Sequence, residues 1–362
     1  MAHLPRAIAR VRHALREFLT ARREDGSLAQ GDLLLVGCSG GADSLALASQ
    51  LAFLAPRMGM RAGLVTVDHR MQEGSAEQAA RVTEQGQRLS LDPSIIREVV
   101  PGDGPAAPGV GLGPEGAARE LRYAAFEEVL GETGARAVLL GHTMEDQAET
   151  VLLALARGAG TRTIAGIPPI RGQFWRPLLG VRRAETAATC EELELPVWQD
   201  PANAPDGPWL TAQGRPLPRA ALRHSVLPEL ALALGRDPVP ALARTADLAR
   251  SDADFLDAAA REHFTLIEEA PARETTVADG ATSLAVEGAA ALADPIRWRL
   301  LREFLLRAGA PEGQVSMRHI YSVDTLLTDW RGQRGVSVPG DLQVVRSYGR
   351  LYIVTSPNLE RT

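Results

Sequence analysis

The sequence predicts an α/β protein: a doubly wound parallel sheet, followed by a helical second domain that ends in a small β element. Three observations carry that expectation. Short apolar runs and helix-spaced segments alternate strictly between residues 32 and 157. Residues 219–310 are rich in Ala, Leu and Arg at helical period, with few β-branched runs. Residues 335–355 alternate in polarity and carry turn signals at Pro339-Gly340-Asp341 and Tyr348-Gly349. One domain is expected over residues 1–220, including an N-terminal helix, and a second over 221–362.

Each element has a local reason. The first nineteen residues spread Arg among apolar positions and read as an amphipathic helix. Residues 32–39 form an apolar run ended by Ser and Gly, a buried strand, and 42–55 follow with helical spacing. Residues 60–69 are a second strand, 75–91 a helix capped by Ser75, and 93–100 a third strand. Residues 101–113 are rich in Gly and Pro and form a loop. Pro114 suits a first helical turn, so a helix is expected over 114–134, then a fourth strand over 135–142 and a helix from about Met144 to Arg157. In such a sheet, ligands bind outside the carboxyl ends of the strands.

Composition narrows the chemistry. The chain has 362 residues, 45% of them apolar, and a net charge of −6. All 39 basic residues are Arg. This excludes a Walker-type phosphate loop with its Lys, a Schiff-base lysine, a pyridoxal phosphate anchor and a lysyl-adenylate. Two cysteines, Cys38 and Cys190, exclude a disulfide framework, a four-thiolate zinc site and a CxxC pair. No apolar run is long enough to span a membrane, and the N-terminus lacks the apolar block of a signal peptide, so a cytoplasmic protein is expected. Residues 150–184 hold six Arg (157, 162, 171, 176, 182 and 183) and no acid, which suits a phosphate-contacting stripe as well as a solvated, ion-paired face.

The most informative stretch is Ser39-Gly40-Gly41-Ala42-Asp43-Ser44, between the first strand and its helix. Two glycines let a ligand approach the backbone, and free amides at a helix start bind anions. Ser39 and Ser44 add hydroxyls. Asp43 would repel a phosphate unless a cation such as Mg²⁺ lay between them.

This hexapeptide resembles the SGGxDS motif of the PP-loop, or N-type, ATP pyrophosphatases. The resemblance implies a Rossmann-like sheet, cleavage of ATP between its α and β phosphates, and adenylation of a substrate oxygen. Further blocks, in order, resemble the lysidine synthases of that superfamily. Val67-Asp68-His69 with Glu73, Ser75 and Glu77 is similar to their DHxLRxxSxxEA stretch. Glu115, Arg119, Arg122 and Tyr123 follow their ExxARxxRY helix, with the two Arg on one helical face. Gly141-His142-Thr143-Met144-Glu145-Asp146-Gln147-Ala148-Glu149-Thr150 is similar to GHxxDDQAET, with Glu145 where Asp is usual. Arg157, Arg176, Arg182-Arg183, Asp200-Pro201-Ala202-Asn203, Arg219, Arg223 and a stretch from His319 to Leu351 continue the series, with Ala220 in place of Asn.

The resemblance implies that ATP binds on Ser39, Gly40, Gly41, Ala42, Asp43 and Ser44 with Asp68 nearby, and that Asp43 and Asp146 hold Mg²⁺. Catalytic roles are expected for Asp43, Arg119, Arg122, His142, Glu145 and Asp146, and tRNA contacts for Arg157, Arg176, Arg182, Arg219 and Arg223. The implied reaction joins free L-lysine to the wobble cytidine of an isoleucine tRNA with a CAU anticodon. A tRNA thiolase on the same loop would need sulfur-carrying or cluster-binding cysteines, and a non-catalytic ATP-sensing tRNA-binding module would not need intact Asp43 and Asp146.

Overall fold

Leu34 and Val36 face one side of the first strand and Leu33 and Leu35 the other, and all four are buried. A strand apolar on both faces must be covered on both, and this sets the architecture. The computed structural model describes residues 4–70, 74–99, 114–158, 160–199, 214–268 and 283–355. Its elements run α1 (Arg6–Glu24), β1 (Leu33–Gly37), α2 (Ala42–Arg57), β2 (Arg61–Asp68), α3 (Ser75–Arg88), β3 (Ser94–Glu98), α4 (Pro114–Thr133), β4 (Ala137–Leu140) and α5 (Met144–Ala156). There follow α6 (Thr161–Ile164), β5 (Ile170–Arg171), β6 (Phe174–Trp175), α7 (Arg183–Glu192), α8 (Pro218–Ala221), a π-helical turn (Leu222–Val226) and α9 (Leu227–Leu234).

The six strands are ordered β3-β2-β1-β4-β6-β5, parallel except for the edge strand β5. The chain winds outward from β1 to β3, then returns to place β4 on the other side of β1. The carboxyl ends of β1 and β4 therefore border the crevice where strand order reverses, the place where such sheets bind ligands. On one face, α1 buries Val11, Leu15 and Leu19 in a cluster with Leu47, Leu51 and Leu54 of α2. On the other, Phe126, Val129 and Leu130 of α4 cover Leu33, Leu35 and Val65. The four main strands and their helices lie where periodicity predicts. The two-residue strands β5 and β6, joined through Gly172 at a φ of 57°, were not predicted, because two residues carry no periodicity.

The chain divides into two compact units, Met1–Arg250 and Ser251–Thr362. Residues 221–250, which the sequence assigns to the second domain, thus belong to the first unit. Leu227 and Val239 pack with Ala148 of α5, and the Arg250 guanidinium donates to the Ile167 carbonyl at 3.0 Å. The boundary falls within α10 (Val239–Glu268).

The second unit continues with β7 (Ser283–Ala285), α11 (Val286–Ala290), α12 (Asp294–Arg307), a 3-10 turn (Glu312–Gln314), α13 (Met317–Thr328), β8 (Val336–Val338), β9 (Leu342–Ser347) and β10 (Arg350–Thr355). Its core gathers Phe264, Leu300, Leu301, Phe304, Val323, Val344 and Leu351. The strands form an antiparallel sheet ordered β7-β10-β9-β8. The β element expected near the C-terminus is present. β7 adds an edge strand inside the stretch read as helical, where three residues are too few to interrupt a helical pattern. The loop expected over 101–113, Glu73 and the Asp200–Asn203 stretch lie outside the described residues.

Candidate active site at the reversal of strand order

The turn after β1 is built by its small residues. Gly40 takes a φ of 86°, which disfavours any side chain, and a Cβ there would fall 2.4 Å from Gln78 Nε2. The Ser44 hydroxyl donates to the Gly41 carbonyl at 2.9 Å and accepts the Ser39 amide at 3.2 Å. The hydroxyls thus fix the curve of the loop, and Asp43 stands in the first turn of α2.

β4 ends directly against this turn. A Cβ on Gly141 would lie 2.9 Å from the carbonyl carbon and oxygen of Asp43 and 3.0 Å from the Ser44 amide, so only glycine permits the approach. We expect Gly141→Ala to cost about 1–3 kcal/mol by pushing the two backbones apart. Urea unfolding of the variant checks this, and an unchanged midpoint would show that the approach is slack.

Beyond Gly141, Thr143 and Asp146 cap α5. The Asp146 Oδ2 accepts the Thr143 amide at 2.7 Å and its hydroxyl at 3.0 Å. α7 then brings a second layer. The Thr186 hydroxyl donates to Asp43 Oδ1. Arg183 reaches three carboxylates: Asp146 at 2.8 Å, and Asp43 and Glu149 at 3.4 Å each. The fully buried Glu149 also receives Arg223 at 2.9 and 3.2 Å. Glu145 accepts the Arg182 side chain at 2.6 Å and the Arg183 amide at 2.8 Å, while Arg182 also holds Asp237 at 2.5 Å.

The electrostatics divide these acids. Burial pushes Asp43 above the usual carboxylate range, outweighing its bonds from Thr186 and Arg183. Burial acts on Asp146 in the same sense, but Arg183, His142 and the Thr143 amide together hold it below that range. Burial lowers His142 to about 3, helped by Arg176, Arg119 and Arg122, and its Nδ1 is buried without a hydrogen-bond partner. His69, after Asp68 at the end of β2, is lowered to about 4 by burial and by Arg122. Both imidazoles are neutral near pH 7. An imidazole so weakly basic is a poor acceptor for an ammonium proton and serves instead as a neutral hydrogen-bonding group.

A cationic wall completes the crevice. The Tyr123 hydroxyl accepts Arg176 at 3.0 Å and Arg119 at 3.3 Å, and the Arg119 guanidinium lies 5.0 Å from the Tyr123 ring centroid. The two arginines draw the phenol below its ordinary pKa although burial opposes them.

The sequence-predicted residues are thus brought together in large part. Ser39, Gly40, Gly41, Ala42, Asp43 and Ser44 form the turn after β1. His142, Glu145 and Asp146 follow β4, and Asp68 is buried at the end of β2 with its Oδ1 accepting the Arg70 amide at 2.9 Å. Among the expected tRNA contacts, Arg157 is exposed and Arg219 half-buried. Arg182 and Arg223 are ion-paired with the carboxylates of the crevice. Arg176 departs from the expectation of a surface contact. It is 2% exposed and donates to the Pro168 and Phe174 carbonyls at 3.0 and 3.3 Å, so its charge is used inside the fold. Sequence reasoning places Arg183 in the basic stripe and among the family-like blocks without a role, and leaves Thr186 unmentioned. No local spacing marks their contact with Asp43, 140 and 143 residues away in sequence.

Among the described residues, no group of three or more His, Cys, Asp or Glu side chains is arranged to hold a metal ion. Asp43 and Asp146, which share the Arg183 guanidinium, are the residues that would hold a divalent cation, which would supply charge to shield a polyphosphate. Cys38 and Cys190 are both free and buried; the Cys190 thiol donates to the Ala42 carbonyl, and burial raises it to about 12. Burial likewise raises the Cys38 thiol, so both stay in the protonated form near pH 7.

Comparisons with known proteins identify the family. A family described as the PP-loop domain matches residues 9–230, and one described as the TilS substrate binding domain matches 284–352. The chain is similar to the tRNA(Ile)-lysidine synthase of Streptomyces coelicolor, with 46% identity over 92% of this chain and 88% of that protein. It is 44% identical to that of Salinispora tropica over 97% of each chain, and 43% identical to that of Thermobifida fusca over 98% of this chain and 99% of the other. Among solved structures, the U34-tRNA thiolase NcsA of Methanococcus maripaludis with its 4Fe–4S cluster aligns with a TM-score of 0.52 at 15% identity. That alignment covers 68% of this chain and 79% of the thiolase, and it speaks to the fold alone. The chain belongs to the tRNA(Ile)-lysidine synthase family of PP-loop proteins.

Proposed function

We propose that this chain is an ATP-dependent ligase that converts the wobble cytidine of an isoleucine tRNA with a CAU anticodon to lysidine. The observation that carries the reading is that Asp43 and Asp146 share one guanidinium across the reversal of strand order, beside the amino end of α2. The amides there would receive the polyphosphate. Asp43 and Asp146 would hold Mg²⁺, which shields the phosphate charge when bound. The C2 oxygen of cytidine attacks the α phosphorus and pyrophosphate leaves. The lysine amine then attacks C2 and AMP departs with the oxygen.

This chain's own residues orient and desolvate. Arg119, held by Tyr123, and Arg122 one helical step away present planar guanidiniums to a phosphate or to leaving pyrophosphate. The neutral His142 offers a hydrogen bond beside the carboxylates. The lysine amine, ordinarily protonated below a pH of about 10.4, must lose its proton before attack, and the carboxylate-rich, half-buried crevice is where that occurs. Adjacent placement of the activated base and the amine replaces a bimolecular encounter. An anticodon loop suits this chemistry because its bases are already single-stranded. The exposed Arg157 and half-buried Arg219 are the proposed phosphate contacts outside the crevice. A tRNA substrate supports the reading of a cytoplasmic protein. Among the described residues, no helix is long and apolar enough to cross a membrane.

Labelled lysine, ATP and unmodified isoleucine tRNA with a CAU anticodon test the reading, with methionine tRNA alongside. Label is expected in the isoleucine tRNA only. Incorporation into neither, by folded protein, overturns the reading.

A further inference from the structure

Arg183 is the first residue of α7, and its guanidinium contacts the oxygen of Asp43 that Thr186 does not engage and the oxygen of Asp146 that Thr143 does not engage. Asp43 Oδ1 takes the Thr186 hydroxyl, and Asp146 Oδ2 takes the amide and hydroxyl of Thr143. Arg183 Nε faces the other oxygen of Asp43, Oδ2, at 3.4 Å, and its Nη2 faces the other oxygen of Asp146, Oδ1, at 2.8 Å. One oxygen on each of the two carboxylates is thus bridged by the Arg183 guanidinium, the place a shared cation would take, while Arg223 Nη2 approaches the same Asp146 oxygen more loosely, at 3.6 Å.

We propose that Arg183 is a built-in stand-in for the divalent cation: it occupies the position between Asp43 and Asp146 while the nucleotide is absent, and the arriving ion displaces it. The inference rests on Asp43 and Asp146 being the cation ligands. Two facing carboxylates in a half-buried crevice repel one another without a counter-charge, and a guanidinium supplies one that is always present. Displacement is feasible because each carboxylate keeps its own anchor when Arg183 leaves. Glu149, the third acid it touches, stays paired with Arg223 at 2.9 Å. The Arg183 side chain is 26% exposed at the beginning of a helix, so it can swing toward solvent without unpacking α7.

The test measures Mn²⁺ binding by electron paramagnetic resonance of the free ion, without ATP, tRNA or lysine. The proteins are wild type, R183Q, R183M, R183K and the double variant D43N/R183Q. Removing a competing charge at this distance is expected to tighten Mn²⁺ binding by about tenfold or more in R183Q and R183M. R183K, which retains the charge, is expected near wild type, and D43N is expected to cancel the gain in R183Q. A merely structural arginine predicts the reverse, because its loss would splay the carboxylates and weaken binding. Unchanged or weaker Mn²⁺ binding in R183Q and R183M, with thermal unfolding like wild type, overturns the proposal. If D43N/R183Q binds as tightly as R183Q, the ion sits elsewhere, and both the proposal and the assignment of Asp43 as a cation ligand fall. In a second arm, wild type and D43N alone are titrated with Mn²⁺ with ATP present; if R183Q fails to tighten in the first arm while D43N weakens Mn²⁺ binding in the second, only the role of Arg183 falls.

Discussion

Asp43→Asn is expected to lower tRNA-dependent pyrophosphate release by about three orders of magnitude, the scale on which loss of one preorganised electrostatic contact acts at a reacting centre. The substitution keeps the shape of the side chain and its oxygen for the Thr186 hydroxyl. It removes the charge that faces Arg183 and that would hold a cation against the polyphosphate. Burial already pushes the Asp43 carboxyl up, so a neutral isostere relieves a desolvation cost as it loses an ion pair. Thermal unfolding is therefore expected to change little, and tRNA affinity should remain near wild type because the phosphate contacts lie elsewhere. Turnover within tenfold of wild type would remove Asp43 from the reaction.

Arg176→Leu is expected to have the largest effect on stability, about 3–5 kcal/mol, because it deprives several buried acceptors of one charged donor, at about 1–3 kcal/mol each. The guanidinium serves two backbone carbonyls and the Tyr123 hydroxyl, which in turn positions Arg119. Leucine would leave all three acceptors without that donor in a region closed by Phe174 and Phe126. Chemical denaturation measures the loss. In the fraction that remains folded, the salt dependence of tRNA binding should match wild type, since no phosphate contact has been removed. A variant as stable as wild type, whose salt dependence is shallower by about one contact, would return Arg176 to the surface role suggested by its charge.

These two residues show which parts of the molecule are legible in a sequence. Asp43 was legible because its neighbours are local: an apolar run, two glycines and a helix start, each read within a dozen positions. The placement of His142, Glu145 and Asp146 on the same edge followed from strand and helix alternation, since in a parallel sheet every strand ends on the same side. Arg176 was not legible, because a charge count cannot distinguish a guanidinium facing water from one feeding buried carbonyls. Arg183 and Thr186 meet Asp43 only after the chain has travelled more than a hundred residues, and no spacing rule spans that distance. The unit boundary escaped for a related reason. Residues 221–250 are helical like those that follow, and only their packing on α5 and their bonds to Ile167 and Glu149 assign them to the first unit.

The account is tested most directly by following ATP labelled at its α phosphate, with lysine and unmodified isoleucine tRNA bearing the CAU anticodon. The prediction is one labelled AMP for each lysine joined to tRNA, and none when the tRNA is left out or Asp43 is replaced by Asn. Label appearing in ADP, or AMP forming at the same rate without tRNA, would contradict it.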